Sequence, residues 1–211
     1  MPVSVVWFKR DLRVSDNQAL TEACKSPHPV ICLFNLEPER LKRSDVSEIH
    51  IEWELDCARA LGKSLENLGG KLLFNFGNVV DKLSEINEEY EIASVFSHEE
   101  TGLNWSWERD KSVTRWCEEN GALFTEYPTN GVIRGLQSRD NWKGQRDARV
   151  EGQLISTPVS IQSPEGLKSD HIPDAKDIGV KSRELTDRPI AGEKAAISVL
   201  FSFLDERGRT Y

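Results

Sequence analysis

The sequence predicts a doubly wound α/β fold on a five-stranded parallel sheet, and three observations carry that expectation. Five short runs rich in β-branched and aromatic residues recur along residues 1–127. The stretches between them place apolar residues at three- and four-residue intervals, the period of a helix. Strands that alternate with helices imply right-handed crossovers, and crossovers imply parallel pairing with helices on both faces.

The first run, residues 3–8 (VSVVWF), is too short for a helix and bounded by charge, so it reads as a strand buried on both faces. Residues 29–36 (PVICLFNL), 71–77 (KLLFNFG), 92–98 (IASVFSH) and 122–127 (ALFTEY) repeat the pattern. The longest helix is expected over residues 45–68, where Ile51, Leu55, Ala58, Leu61, Leu65 and Leu68 make one apolar face. Gly69 and Gly70 then end it, since glycine accepts the left-handed conformation that closes a helix. The simplest strand order is 3-2-1-4-5, which puts the topological switch point between strands one and four. A ligand crevice is therefore expected beyond their carboxyl ends, at residues 9–14 and 97–104.

The segments past residue 127 differ in character. Residues 130–153 are polar and basic, with a short helix expected at 141–151. Residues 155–189 are rich in Ser, Pro, Asp and Lys without a sustained period, as in a linker crossing a surface. Residues 192–207 turn helical again, with Ala196, Val199, Leu200, Phe203 and Leu204 on one face. Such a helix has nothing of its own to pack on, so the division expected is an α/β domain at 1–130, a linker at 131–190 and the truncated start of another domain at 191–211.

Composition narrows the function. No apolar run approaches the roughly 18 residues of a membrane span, and the start lacks the layout of a secretory signal, so a cytoplasmic protein without a membrane partner is expected. Cys24, Cys32, Cys57 and Cys117 form no CxxC pair and have no His at ligand spacing, which predicts neither disulfides nor zinc. Residues 85–126 hold eleven acids and three bases, an excess equal to the whole net charge of -8. That surface repels phosphates.

Three stretches are candidates for chemistry. In WFKRDLRVSDNQAL, Lys9, Arg10 and Arg13 surround Asp11, and Ser15 or Asp16 is expected to cap the next helix. Glycines for a phosphate loop are absent there. In SHEETGLNWSWERD, His98, Glu99, Glu100 and Asn104 sit at the mouth of the sheet, with Trp105 and Trp107 just inside a helix. On a helical wheel Trp105 aligns with Trp116 on the core face, while Trp107 points to the opposite side. Trp107 either stacks on a flat ligand whose amino groups meet a carboxylate, or packs under a loop or a neighbouring domain. The third stretch, Arg134, Arg139, Arg146 and Arg149 around Trp142, suits either single-stranded nucleic acid or a solvated helix paired with Asp140, Asp147 and Glu151. No nucleophile motif is present, and His28, His50 and His171 are isolated.

Taken together, VVWFKRDLRVSDNQAL resembles the opening of the DNA photolyase/cryptochrome family, a strand ending in W-F-x-R-D-L-R before a D-N helix. The HEETG and WERD stretch, the GVIRGLQSRDNW segment and the closing GEKAAISVLFSFLDERGRTY agree in order. The resemblance implies an α/β antenna domain, a long linker and a C-terminal helical domain that holds FAD and faces UV-damaged DNA. The sequence stops where that helical domain is expected to start. Tyr211 matches an early tyrosine of the family's flavin site, but the FAD itself is implied only for the whole parent protein. The fragment is expected to bind neither FAD nor nucleic acid alone, and no catalytic residue is assigned to it.

The resemblance further implies a light-harvesting chromophore, a reduced folate (MTHF) or a deazaflavin. In folate-binding relatives the pterin lies near an Asn-Glu pair on the helix after strand four. Here Asn104 is followed by Trp105, so the carboxylate has no counterpart at that position, and Glu99, Glu100 or Glu108 is left to substitute. The expectation is a folate site rebuilt around Trp105 and Trp107, or an empty one. The whole protein is implied to be a blue-light-driven photolyase, a carbon–carbon lyase splitting pyrimidine dimers by electron transfer from reduced FAD, or a cryptochrome receptor. The segment after strand five departs from the Y-x-V-F-T-P-F pattern of many dimer photolyases, which leaves both open.

Overall fold

A computed structural model describes residues 1–181 and 188–210. The strands are β1 (Val3–Phe8), β2 (Val30–Leu36), β3 (Leu72–Phe76), β4 (Ile92–His98) and β5 (Leu123–Tyr127). All neighbours are parallel, in the order β3-β2-β1-β4-β5. Between them run α1 (Gln18–Lys25), the single turn α2 (Pro38–Leu41), α3 (Glu48–Asn67), α4 (Val79–Tyr90) and α5 (Asn104–Asn120). Helices α6 (Trp142–Val150) and α7 (Glu193–Asp205) follow the last strand.

Alternation along each strand sends side chains to two separate cores. From β1, Val6 and Phe8 meet Ala19, Leu20 and Ala23 of α1 and Ile51, Leu55, Ala58, Leu61 and Leu65 of α3. Val3, Val5 and Trp7 point the other way, toward Val79, Leu83 and Ile86 of α4 and Val113, Trp116 and Cys117 of α5. A fully buried side chain of this size contributes about 1.5–3 kcal/mol, so a one-residue slip of β1 would exchange both cores at once. Helix α3 ends as its glycines require: Gly69 sits at φ 87°, and the Gly70 N–H donates to the Leu65 carbonyl at 2.8 Å.

Two expectations are corrected. The cap of α1 is Asn17, whose Oδ1 accepts from the Leu20 N–H at 2.9 Å, and not Ser15 or Asp16. Asp16 is unavailable because it lies at φ 48° and its carboxylate accepts the Ile155 N–H at 3.0 Å. Trp105 does not join Trp116 in the core; the buried stripe of α5 is Ser106, Asp110, Val113, Trp116 and Cys117. The Trp105 ring lies instead against the guanidiniums of Arg109 and Arg43, 5.3 and 5.7 Å from its centroid.

The segment after α6 does more than cross a surface. The Asp170 N–H donates to the Leu72 carbonyl at 2.9 Å, and the Asp170 carboxylate accepts the Phe74 N–H at 3.0 Å, which covers the open edge of β3. Ile161, Ile172, Ala175 and Val180 are buried in the α1/α3 core. Helix α7 is tied down at its start, where the Glu193 carboxylate accepts the N–H groups of Val14 and Ser15 at 3.0 and 3.1 Å. Most of its apolar surface stays exposed, including Val199, Leu200, Phe201 and Leu204.

Candidate functional site: two cavities at the switch point

The chain reverses direction of winding between β1 and β4, and their carboxyl ends open a crevice of about 380 Å³. From β1 it receives Lys9, Arg10, Asp11 and Arg13, and from β4 His98, Glu99, Glu100, Thr101 and Gly102. Most of these charges are already spent on one another. Lys9 is buried and its Nζ donates to Asp110 and Glu126, each at 3.0 Å, while lying 4.2 Å from the Trp7 ring centroid. The His98 Nδ1–H donates to Asp11 Oδ2 at 2.6 Å, and the Lys9 N–H to Asp11 Oδ1 at 3.0 Å. Burial opposes ionisation of Asp11, but His98 and the backbone donor outweigh it and hold its carboxyl below the usual range.

Arg109 is the hub of the network. It reaches Glu100 at 2.6 Å, Asp110 at 2.9 Å and Glu37 at 3.4 Å. Its guanidinium also lies 4.7 Å from the Trp7 centroid and 5.3 Å from that of Trp105, between the two rings. The same arginine lowers both Glu37 and Glu100, but with opposite net outcomes. Burial raises Glu37 more than Arg109 lowers it, whereas for Glu100 burial is outweighed by Arg109 and Arg10 together, so its carboxyl is held low. On the far side Arg134 pairs with Glu126 at 2.5 Å and Glu99 at 3.7 Å, and Arg149 with Glu99 at 3.0 Å. Two arginines of the basic stretch thus pair with Glu99 and Glu126 of the acidic one, while Arg146 spends its charge within its helix, on Asp147 at 2.8 Å.

A larger cavity of about 910 Å³ opens beside the crevice, between α3, the start of α5, the β1–α1 loop and α7. Its walls hold Trp53, Trp105, Leu103, Val46, Ile197 and Leu200 with His50, Arg40 and Glu54. Trp53 is 39% exposed, and Trp105 is half-buried with Arg43 at 5.7 Å from its ring centroid. Arg40 grips Glu54 through both terminal nitrogens, at 2.9 and 2.6 Å, yet its Nε–H is buried without a partner among the described residues. This volume and composition, apolar walls with a few fixed polar groups, are those of a small-molecule site.

Among the residues singled out from sequence, Glu100 and Trp105 meet at the larger cavity, and Glu99 and Glu100 line the crevice. Asn104 opens α5 but lines neither cavity. Trp107 lies outside both, 43% exposed, with Arg134 5.1 Å from its ring centroid. Glu108 is on the same outer side, paired with Lys111 at 2.7 Å. Tyr211 lies outside the described residues. Trp53, Arg40 and Glu54 carry no signal in the core stripe of α3, being off it or on the preceding turn, and His50, isolated in the sequence, joins them at the cavity. The only signal was His50 and Trp53 at i, i+3 on one flank. The four cysteines are free thiols, and burial pushes each above its ordinary pKa. Among the described residues no cluster of His, Cys, Asp or Glu is arranged for a metal ion, and no helix is long and apolar enough to cross a membrane.

A parallel sheet in this order, with a crevice where the winding reverses, defines the class of doubly wound α/β ligand-binding domains. Within that class the chain belongs to the DNA photolyase family, which it matches over residues 4–141. It is 29% identical to cryptochrome-1 of Erithacus rubecula over 78% of this chain and 28% of that protein. It is 26% identical to the deoxyribodipyrimidine photo-lyase of Buchnera aphidicola over 96% of this chain and 45% of that one. The fold matches a bacterial class III photolyase from Agrobacterium tumefaciens with a TM-score of 0.79 at 21% identity, over 97% of this chain and 45% of that one. An archaeal photolyase from Sulfolobus tokodaii matches with a TM-score of 0.70 at 21% identity, over 93% and 45%. The chain thus spans under half the length of each of these relatives.

Proposed function

We propose that this chain is the light-harvesting half of a blue-light flavoprotein that repairs pyrimidine dimers, and that it holds an antenna chromophore, a reduced folate, in the cavity walled by Trp53 and Trp105. The observation that carries this reading is the cavity itself: about 910 Å³, two accessible indoles, and a buried Arg40 Nε–H still wanting an acceptor. A pterin is flat, so the indoles give it stacking surface. Its ring amino groups need carboxylates, and Glu54 and Glu100 stand in the wall. Trp105 takes the place of the carboxylate that the family pattern puts after Asn104, and Glu54 supplies the acceptor from α3 instead. The Sulfolobus tokodaii structure is described as having two FAD molecules, with the implication of a novel light-harvesting cofactor. That description supports an antenna function for a domain of this fold.

FAD, electron transfer and contact with damaged DNA belong in this reading to a helical domain that packs beside α7. The exposed apolar residues of α7 support that placement. This chain's own residues bind and orient the antenna; none of them makes or breaks a bond. The test is the full-length protein purified in the dark. Flavin and folate absorption, with thymine recovered from dimer-containing DNA only under blue light, is the expected result. Flavin absorption without repair would move the whole protein to the cryptochromes and leave the antenna function standing.

A further inference from the structure

The two edges of the sheet are protected by different means. The edge strand β5 carries Glu126, a charge of the kind that discourages strand addition, whereas Leu72–Phe76 of β3 (LLFNF) holds no charged residue. Runs of high β-propensity without charge or proline are prone to pair with another strand. What stands in front of β3 is the flap 163–171, which lies between the buried residues Ile161 and Ile172. We propose that this flap is an internal stand-in for a sixth strand, and that lifting it turns β3 into a pairing surface for a second copy of this chain.

The flap imitates a strand with two residues. Ser169 Oγ accepts the Leu72 N–H at 3.3 Å, the Asp170 N–H donates to the Leu72 carbonyl at 2.9 Å, and the Asp170 carboxylate accepts the Phe74 N–H at 3.0 Å. Alternation points the Phe74 carbonyl and the Phe76 N–H in the same outward direction. Neither meets a partner among the described residues. The edge is therefore half closed, and its open half ends in Phe76, 36% exposed.

The flap can lift without unpacking the domain. Ile161 and Ile172 hold its two ends in the α1/α3 core. Between them Leu167 is only half-buried against the α4/α5 core, and Gly166 turns the chain at φ 81°. Opening gives up the three edge hydrogen bonds and the Leu167 contact, while both anchors stay in place. A two-fold axis at Phe74 then sets Phe74 opposite Phe74 of the second copy, and Leu72 opposite Phe76, in an antiparallel pair. Such apolar and aromatic pairs across strands are favourable, and no like charges face one another along these five residues. The net charge of -8 opposes the approach of two copies, so the pairing should strengthen as salt rises.

The test is the association state of the 211-residue chain in sedimentation velocity, with the wild type beside a double variant, Ser169→Ala with Asp170→Ala. The double variant should move from monomer to dimer as concentration and salt rise, with a dimer about tenfold tighter than that of the wild type. Adding Phe76→Lys, a charge on the open half of the edge, should return it to monomer with the circular dichroism unchanged. A double variant that stays folded and monomeric, or a dimer that Phe76→Lys leaves intact, overturns the proposal. If the double variant does not fold, hydrogen exchange of the wild type decides. The Leu72 and Phe74 amides should exchange about tenfold faster than those of Val5 and Val6, through local opening of the flap. Equal protection at the four amides would mean that the flap opens only with the whole core, and would also overturn it.

Discussion

The two cavities lie side by side and are built on opposite plans. The crevice over β1 and β4 is lined by charges that pair with one another, so its polar groups hold the fold as much as they face solvent. The larger cavity is walled by indoles and aliphatic side chains, and its charged residues sit in tight pairs at the margin. The difference separates stability from binding. Removing a crevice charge should unfold the domain before it weakens a ligand, and removing a cavity indole should do the reverse.

The largest expected effect is on the crevice side. Lys9→Ala leaves Asp110 and Glu126 without the ammonium that both accept from, and should cost about 3–5 kcal/mol, read as a lowered urea midpoint. A loss below about 1 kcal/mol would mean that Arg109 and Arg134 carry the network without it. On the cavity side, Trp105→Ala should weaken reduced-folate binding about tenfold, about 1.4 kcal/mol. The same substitution should also lower the melting temperature modestly while keeping the fold by circular dichroism, since this half-buried ring loses its contacts with Arg43 and Arg109.

The next expectation concerns acid. Asp11 is held below its ordinary pKa by His98 against the opposing effect of burial. The stability it contributes is complete above the unfolded value near 4 and is lost as pH falls through its lower folded pKa. Asp11→Asn should therefore flatten the fall in stability below about pH 4. A variant with the wild-type slope would place the acid sensitivity in Glu100 and Glu126, which are also held low. The smallest effect is Trp107→Ala. It removes an exposed cation–π contact with Arg134, worth about 0.5–1 kcal/mol, and should leave folate affinity unchanged.

The sheet was legible because each strand is a compact apolar run and each crossover carries helical spacing. The strand order observed is the simplest one for a doubly wound sheet, and the crevice follows from that order. The cavity was not legible in the same way. It is assembled from α3, α5, the β1–α1 loop and α7, which lie far apart in sequence, and no local pattern records that they meet. Trp105 shows the limit of a helical wheel: its angle matches Trp116, but the wheel is blind to what packs against each turn, here Arg109 and Arg43. Ile161, Ile172 and Val180 show another. Each is a single apolar residue in a polar stretch, with no period to mark it, yet all three are buried in the α1/α3 core.

Trp105 lines the larger cavity and Trp107 does not, so the two indoles should respond differently to the proposed chromophore. The direct measurement is a titration of the chain and its two single variants with methenyl-tetrahydrofolate, followed by quenching of tryptophan fluorescence, with circular dichroism to check the fold. Saturable quenching is expected in the wild type and in Trp107→Ala, with about a tenfold weaker curve in Trp105→Ala. Binding that survives Trp105→Ala and disappears in Trp107→Ala would contradict it.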